Sequence, residues 1–210
     1  MSPGTGIRAE YDGAAADYDR RWRRYNERSL ALLQPWIDGA RLGRVLDVGC
    51  GTANLVPRLV AWADAVECYA GIDPSAEMLR AAGAKLARLP VPAARLAAPA
   101  GALPFAPRTF DTAVSASSLH YWPDPAAGLR EIRRVLRPGG TLLLLDWDRT
   151  PATMRLLDGW MRLRGVRYRR MYTAREIERM LADAGFRVDA RTRGGAGGAW
   201  RLAGFRARVE

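Results

Sequence analysis

Residues 45–55 read VLDVGCGTANL, an apolar run that ends on Asp47 and turns through Gly49 and Gly51. Glycine lacks the Cβ that would hold a ligand away from the backbone. Such a turn between a strand and a helix therefore brings N–H groups and a helix N-terminus close to a nucleotide. Three details narrow the ligand. A dinucleotide fingerprint GxGxxG requires a third glycine at position 54, which is Asn54 here. Asp47 presents a carboxylate beside the turn, which suits a cationic amine and repels a pyrophosphate. A second apolar run ends on Asp73 in AGIDPSAEML, roughly twenty residues on, where a carboxylate can accept both hydroxyls of a ribose. A ribose with a cationic amine and no phosphate describes S-adenosylmethionine.

The elements that must position these residues follow from patterning. Short apolar runs bounded by Gly, Pro or Asp alternate with helical spacing, the sequence form of repeated βα units around a mainly parallel sheet. Strands are expected near 44–48, 66–72, 94–97, 110–116, 141–146, 186–192 and 200–208. Helices are expected at about 53–63, 75–84, 125–136, 152–164 and 174–184. Ser75 and Asp124-Pro125 are start signals, Thr173 with Glu176 makes a capping box, and Gly185 is a C-terminal cap. Residues 7–38 carry aromatic and leucine residues at helical spacing and predict one or two N-terminal helices.

Composition bounds the rest. At 210 residues the chain fits one α/β domain. The net charge of +11 is almost all arginine, Lys85 being the only lysine. Arginine rises together with Ala, Gly and Pro, as codon usage in a GC-rich genome would produce. Cys50 and Cys68 make no disulfide framework, and no Cys/His cluster has metal spacing, so no metal is expected. No signal-peptide core or membrane span is legible, and the cytoplasm is the expected location.

The glycine turn, the Asp73 motif, the block LPFAPRTFDTAVSASSLHYWPDPAAGLREIRRVLRPGGTLLLLDW at 103–147 and YTAREIERMLADAGFRV resemble class I S-adenosylmethionine-dependent methyltransferases. The nearest likeness is to the ubiquinone and menaquinone biosynthesis subgroup, and it spans most of the chain. It implies an α/β, Rossmann-like seven-stranded mixed sheet in the order 3-2-1-4-5-7-6, with strand 7 antiparallel and helices on both faces. The implied cofactor is S-adenosyl-L-methionine. Its methionine end is expected on Asp47, Gly49 and Gly51 and its ribose on Asp73, with Met78 near the adenosine. Cys50, Pro74 and Ser115 join the cofactor set by motif position. Segment 11–19, YDGAAADYD, resembles the family's covering segment and makes Tyr11 and Tyr18 candidates to line the site. The family's acidic segment is replaced by AlaProAlaGlyAlaLeuProPhe at 98–105. Pro99 and Gly101 fill the acidic positions, which leaves Ala100 to meet adenine through its backbone.

The resemblance divides one domain into an N-terminal helical cap (1–40), a cofactor-binding core (41–148), an acceptor-pocket region (149–172) and a final helix with strands (173–210). Methyl transfer from a sulfonium needs mainly proximity and orientation. For a hydroxyl or acidic-carbon acceptor a base helps, and His120, the only histidine, is the candidate. Trp22, Tyr121, Trp147, Trp160 and Tyr172 are candidates for the acceptor pocket. Two basic segments, Arg20–Arg24 and Arg162–Arg170, flank the expected site and suit either an anionic acceptor or RNA. The expected reaction is methylation of a small-molecule acceptor. RNA methylation and a methyltransferase-fold binding protein without activity are the alternatives.

Overall fold

The computed structural model describes Gly13 and residues 17–166 and 168–210. Tyr11 and Arg167 lie outside the described residues. The N-terminal pattern becomes two helices, α1 (Tyr18–Ala31) and α2 (Gln34–Ile37). They separate at Leu32 and Leu33 because Pro35 follows, which has no N–H to continue the helix.

Seven strands form one sheet: β1 (Arg41–Val48), β2 (Ala65–Asp73), β3 (Ala93–Ala97), β4 (Phe110–Ala116), β5 (Leu136–Trp147), β6 (Phe186–Gly197) and β7 (Trp200–Val209). The order is β3-β2-β1-β4-β5-β7-β6. The first five are parallel, and β7 is antiparallel to both of its neighbours. Five helices connect them: α3 (Val56–Trp62), α4 (Ala76–Leu86), α5 (Pro125–Val135), α6 (Ala152–Leu163) and α7 (Ala174–Asp183).

Both faces of the sheet are covered, which the run LeuLeuLeuLeu at 142–145 records directly. Leu142 and Leu144 join a core with Leu129 and Ile132 of α5 and Ile177 and Leu181 of α7. Leu143 and Leu145 join a second core with Leu30 of α1, Leu59 of α3 and Met154 and Met161 of α6. A parallel strand buried on both faces reads as a continuous apolar run because alternate side chains serve opposite cores. Each fully buried leucine contributes about 1.5–3 kcal/mol.

Three boundaries differ from the patterning. The first core helix begins at Val56 rather than near 53, because Ala53 takes a left-handed conformation (φ 59°) and the chain is still turning there. β5 starts at Leu136, five residues early. Leu136 pairs with Phe110, and the pairing then slips to Thr141 opposite Thr112, with Arg137–Gly140 taken up as a bulge. β6 and β7 form a longer hairpin, turning at Gly197 and Gly198, both with positive φ. The glycines of β6 let α1 approach closely, for a Cβ on Gly194 would lie 2.4 Å from Leu32 Cδ2.

The start signals act as read. Ser75 Oγ accepts the Met78 N–H and Asp124 Oδ1 the Ala127 N–H. Thr173 and Glu176 form a reciprocal capping box. Gly185 follows α7 with φ 80°.

Candidate functional site

At the C-terminal ends of β1, β2 and β4, where the strand order reverses, a cavity of about 310 Å³ opens under α1. Open α/β sheets bind ligands at this point. β1 delivers Asp47 and the glycine turn. The N–H groups of Gly49 and Cys50 donate to the Ile72 carbonyl at 2.8 and 2.9 Å, docking the turn on the end of β2. Gly49 must be glycine, since its φ is 75° and a Cβ would lie 2.4 Å from Ser118 Cβ. Gly51, at φ 53°, has open space where its Cβ would point, which leaves room for a ligand over the backbone.

Asp47 is 3 % exposed, and its carboxylate accepts the Tyr69 hydroxyl at 2.7 Å. Burial pushes its pKa up to about 7, the Tyr69 hydrogen bond pulls it down, and the charge of Asp73 pushes it further up. A buried carboxylate held this way gains from a cation placed beside it. Asp73 accepts the Gly51 N–H at 3.0 Å on Oδ2 and the Ser75 N–H at 2.8 Å on Oδ1. Its carboxylate is thereby oriented at the cavity wall.

The sequence-derived cofactor set largely converges. Tyr18, Asp47, Gly49, Cys50, Gly51, Asp73, Pro74, Met78 and Ala100 all line the cavity. Tyr18 is half-buried, and desolvation first, then the nearby Tyr121 and Asp73, push its phenol pKa up. Pro99 lines the wall beside Ala100, so the segment that departs from the family presents only small apolar groups there. Ser115 lies behind the wall. It is fully buried, and its Oγ lies 2.8 Å from Ser118 Oγ, the residue that faces the cavity.

The acceptor set is scattered. Tyr121 lines the cavity and Tyr11 is outside the described residues. Trp22 packs edge-on against Tyr25 and Trp200. Tyr172 lies under Arg170, and the cavity wall does not include it. Trp160 is 54 % exposed on the outer face of α6, with Leu156 and Leu163 beside it. A helix buries one stripe only, and in α6 Met154 and Met161 take it.

His120 is not on the cavity wall either. It is 1 % exposed, with Nδ1 2.6 Å from Asp146 Oδ1 and its ring stacked on Trp147 at 3.5 Å between centroids. Its carbonyl accepts the Arg169 N–H at 2.9 Å. The ring therefore fixes the turn Leu119–Tyr121 on Asp146 with Trp147 as its platform, and the backbone carbonyl holds the loop before α7.

Patterning missed several residues in the wall and behind it. Lys85 Nζ donates to Asp19 Oδ2 at 2.6 Å, to the Thr52 carbonyl at 2.8 Å and to Asn54 Oδ1 at 2.8 Å. Thr52 Oγ1 and Asn54 Nδ2 also donate to Asp19 Oδ1, at 2.6 and 2.9 Å. One ammonium thus ties α1 to the glycine turn, and Asn54 supplies a side chain where a dinucleotide fold would have glycine. The signal in the sequence was the lone lysine itself. Asn26, Ser117, Trp122 and Arg169 also line the wall, and no spacing marks them.

A seven-stranded sheet of this order, with carboxylates at the ends of β1 and β2 facing one cavity, is the fold of class I S-adenosylmethionine-dependent methyltransferases. The methyltransferase-domain family matches residues 17–191, and the chain belongs to it. Among curated relatives, an uncharacterized protein of Mycobacterium bovis is 38 % identical over 167 residues, which cover 77 % of this chain and 53 % of that protein. A ubiquinone/menaquinone biosynthesis C-methyltransferase of Geotalea uraniireducens is 32 % identical over 139 residues, 65 % of this chain and 56 % of that protein. The chain spans about half the length of these relatives. Its fold superposes on an S-adenosylmethionine-dependent methyltransferase of Thermotoga maritima with a TM-score of 0.75 at 18 % identity, covering 95 % and 98 % of the two chains. A chain of the complex between the Haloferax volcanii Trm112 methyltransferase activator and a methyltransferase gives 0.77 at 19 % identity, covering 96 % and 98 %.

S-adenosyl-L-methionine is the cofactor of this family, and the residues present fit it. They offer a buried carboxylate for its cationic end, open backbone at Gly51, and Asp73 held against the turn by the Gly51 N–H. Among the described residues no His, Cys, Asp and Glu group could hold a metal, and no helix is long and apolar enough to cross a membrane.

Proposed function

We propose that this chain transfers the methyl group of S-adenosyl-L-methionine to a small-molecule acceptor by in-line displacement. The observation that carries the reading is the convergence of Asp47, Gly51 and Asp73 on one cavity that continues past the cofactor-binding side to Tyr121 and Ser117. The cofactor supplies an already activated methyl group, so the protein's part is to hold, orient and exclude water. Asp47 and the turn fix the methionine end, Asp73 the ribose, and Met78 with Ala98–Ala100 the apolar space for adenine. Tyr18 and α1, clamped by Lys85, close the site from above. His120 serves as a positioning residue, through its carbonyl and its stack on Trp147.

Thermal unfolding with S-adenosylhomocysteine tests this. At 100 times its dissociation constant a ligand adds about 2.7 kcal/mol, roughly 5–10 °C for a domain of this size. Asp73→Ala should remove that shift and the turnover. Absence of any shift in the wild-type chain at millimolar ligand refutes the reading.

A further inference from the structure

The second basic segment holds one arginine unlike its neighbours. Arg162 is bound by Asp158, Arg170 by Glu176, and Arg164 lies over the Trp160 ring. Arg169 lines the cavity, and no described residue gives its guanidinium a carboxylate or a hydrogen bond; its Nε is buried without a partner. Its backbone is nonetheless fixed, with N–H on the His120 carbonyl. On the same wall the Nδ2 of Asn26 is also buried without a partner. Buried donors are nearly always satisfied in folded chains, and those that are not tend to wait for a ligand. Here both are donors, and one is cationic.

We infer that Arg169 and Asn26 form the acceptor subsite, and that the acceptor carries an anionic oxygen group, a carboxylate or phenolate, on a flat apolar body. This rests on the methyltransferase reading above. A guanidinium presents a planar fork of donors that matches a carboxylate. Tyr121 and Trp122 supply the aromatic wall beside it. The cofactor's methionine carboxylate has the same chemistry, but position separates the two. Asp47, Gly51 and Asp73 stand at the ends of β1 and β2, whereas Arg169 hangs on the turn that follows β4, across the point where the strand order reverses.

The test uses the full chain saturated with S-adenosylhomocysteine and titrates benzoate and 2-naphthoate against their neutral amides by calorimetry. The acids should bind at least about tenfold more tightly than the amides, the factor expected of one charge-assisted hydrogen-bonded pair. Arg169→Gln and Asn26→Asp should each erase that preference and leave S-adenosylhomocysteine affinity within about twofold. Arg169→Gln should also keep or raise the melting temperature of the ligand-free chain, because it removes an unpaired charge; a structural arginine would lower it. Equal binding of acid and amide, or no binding of any acid, overturns the inference. So does a tenfold loss of S-adenosylhomocysteine affinity in Arg169→Gln, which would assign the guanidinium to the cofactor's carboxylate. If the wild-type chain fails to bind S-adenosylhomocysteine, it is the methyltransferase reading that falls.

Discussion

Replacing Asp47 with Asn should stabilise the ligand-free protein above neutral pH while weakening its cofactor binding. Asp47 is buried, and burial lifts its pKa from 3.8 to about 7. Between those values the folded chain holds a proton that the unfolded chain has released, so this carboxylate makes stability fall as pH rises through the window. At 1.36 kcal/mol per unit, the shift sets an upper value of roughly 4 kcal/mol by pH 8. Asn fits the same space, still accepts the Tyr69 hydroxyl and carries no charge. The expected gain at pH 8 is about 2–4 kcal/mol, or roughly 4–16 °C, with little difference near pH 4. A cation bound beside Asp47 reverses the balance and should expel its proton. Wild type should therefore release up to one proton on binding S-adenosylhomocysteine near pH 6.5, read by calorimetry in buffers of different ionisation heat. Asp47→Asn should release none and bind about 10–100-fold more weakly, the cost of a charged hydrogen bond. A variant less stable than wild type at pH 8 yet folded at pH 4, or proton release unchanged by the substitution, refutes the argument.

Two further substitutions probe the frame of the site. Lys85→Met removes the ammonium that joins Asp19, Thr52 and Asn54. Asp19 is half exposed, which discounts the ion pair, so denaturant melts should show a loss of about 1–2 kcal/mol. Amide exchange in α1 should quicken and S-adenosylhomocysteine binding should weaken; unchanged exchange in α1 would show that the clamp does nothing. Gly49→Ala forces a left-handed φ on alanine and drives its Cβ into Ser118. The soluble product should show no S-adenosylhomocysteine shift, and a normal shift would mean the turn is looser than its packing implies.

The site is least stable where it is most specific. Asp47 lifted by burial and an Arg169 Nε without a partner among the described residues are both arrangements that a fold selected for stability alone would avoid. Both line one cavity, one suited to a cation and the other to an anion. The ammonium at the methionine end of the cofactor would satisfy the first, and the anionic acceptor inferred above the second.

The sequence alone determined whatever is written in short-range pattern. The alternation of apolar runs with helical spacing predicted the sheet, and the Ser75, Asp124 and Thr173 caps marked helix starts that the structure keeps, because capping depends on neighbours within a turn. VLDVGCGTANL and Asp73 pointed to residues that line the cavity, since a glycine turn and a strand-end carboxylate are local features. The tertiary structure alone decided which distant side chains share the cavity. His120 and Trp160 looked chemically useful, yet one is locked beneath the wall by Asp146 and Trp147 and the other faces outward. Asn26 and Arg169 belong to no motif, and they reach one cavity only because α1 folds over the strand ends and the loop before α7 hangs on the His120 carbonyl. Contacts between residues far apart in sequence are set by packing of the two cores, and periodicity along the chain carries no record of them.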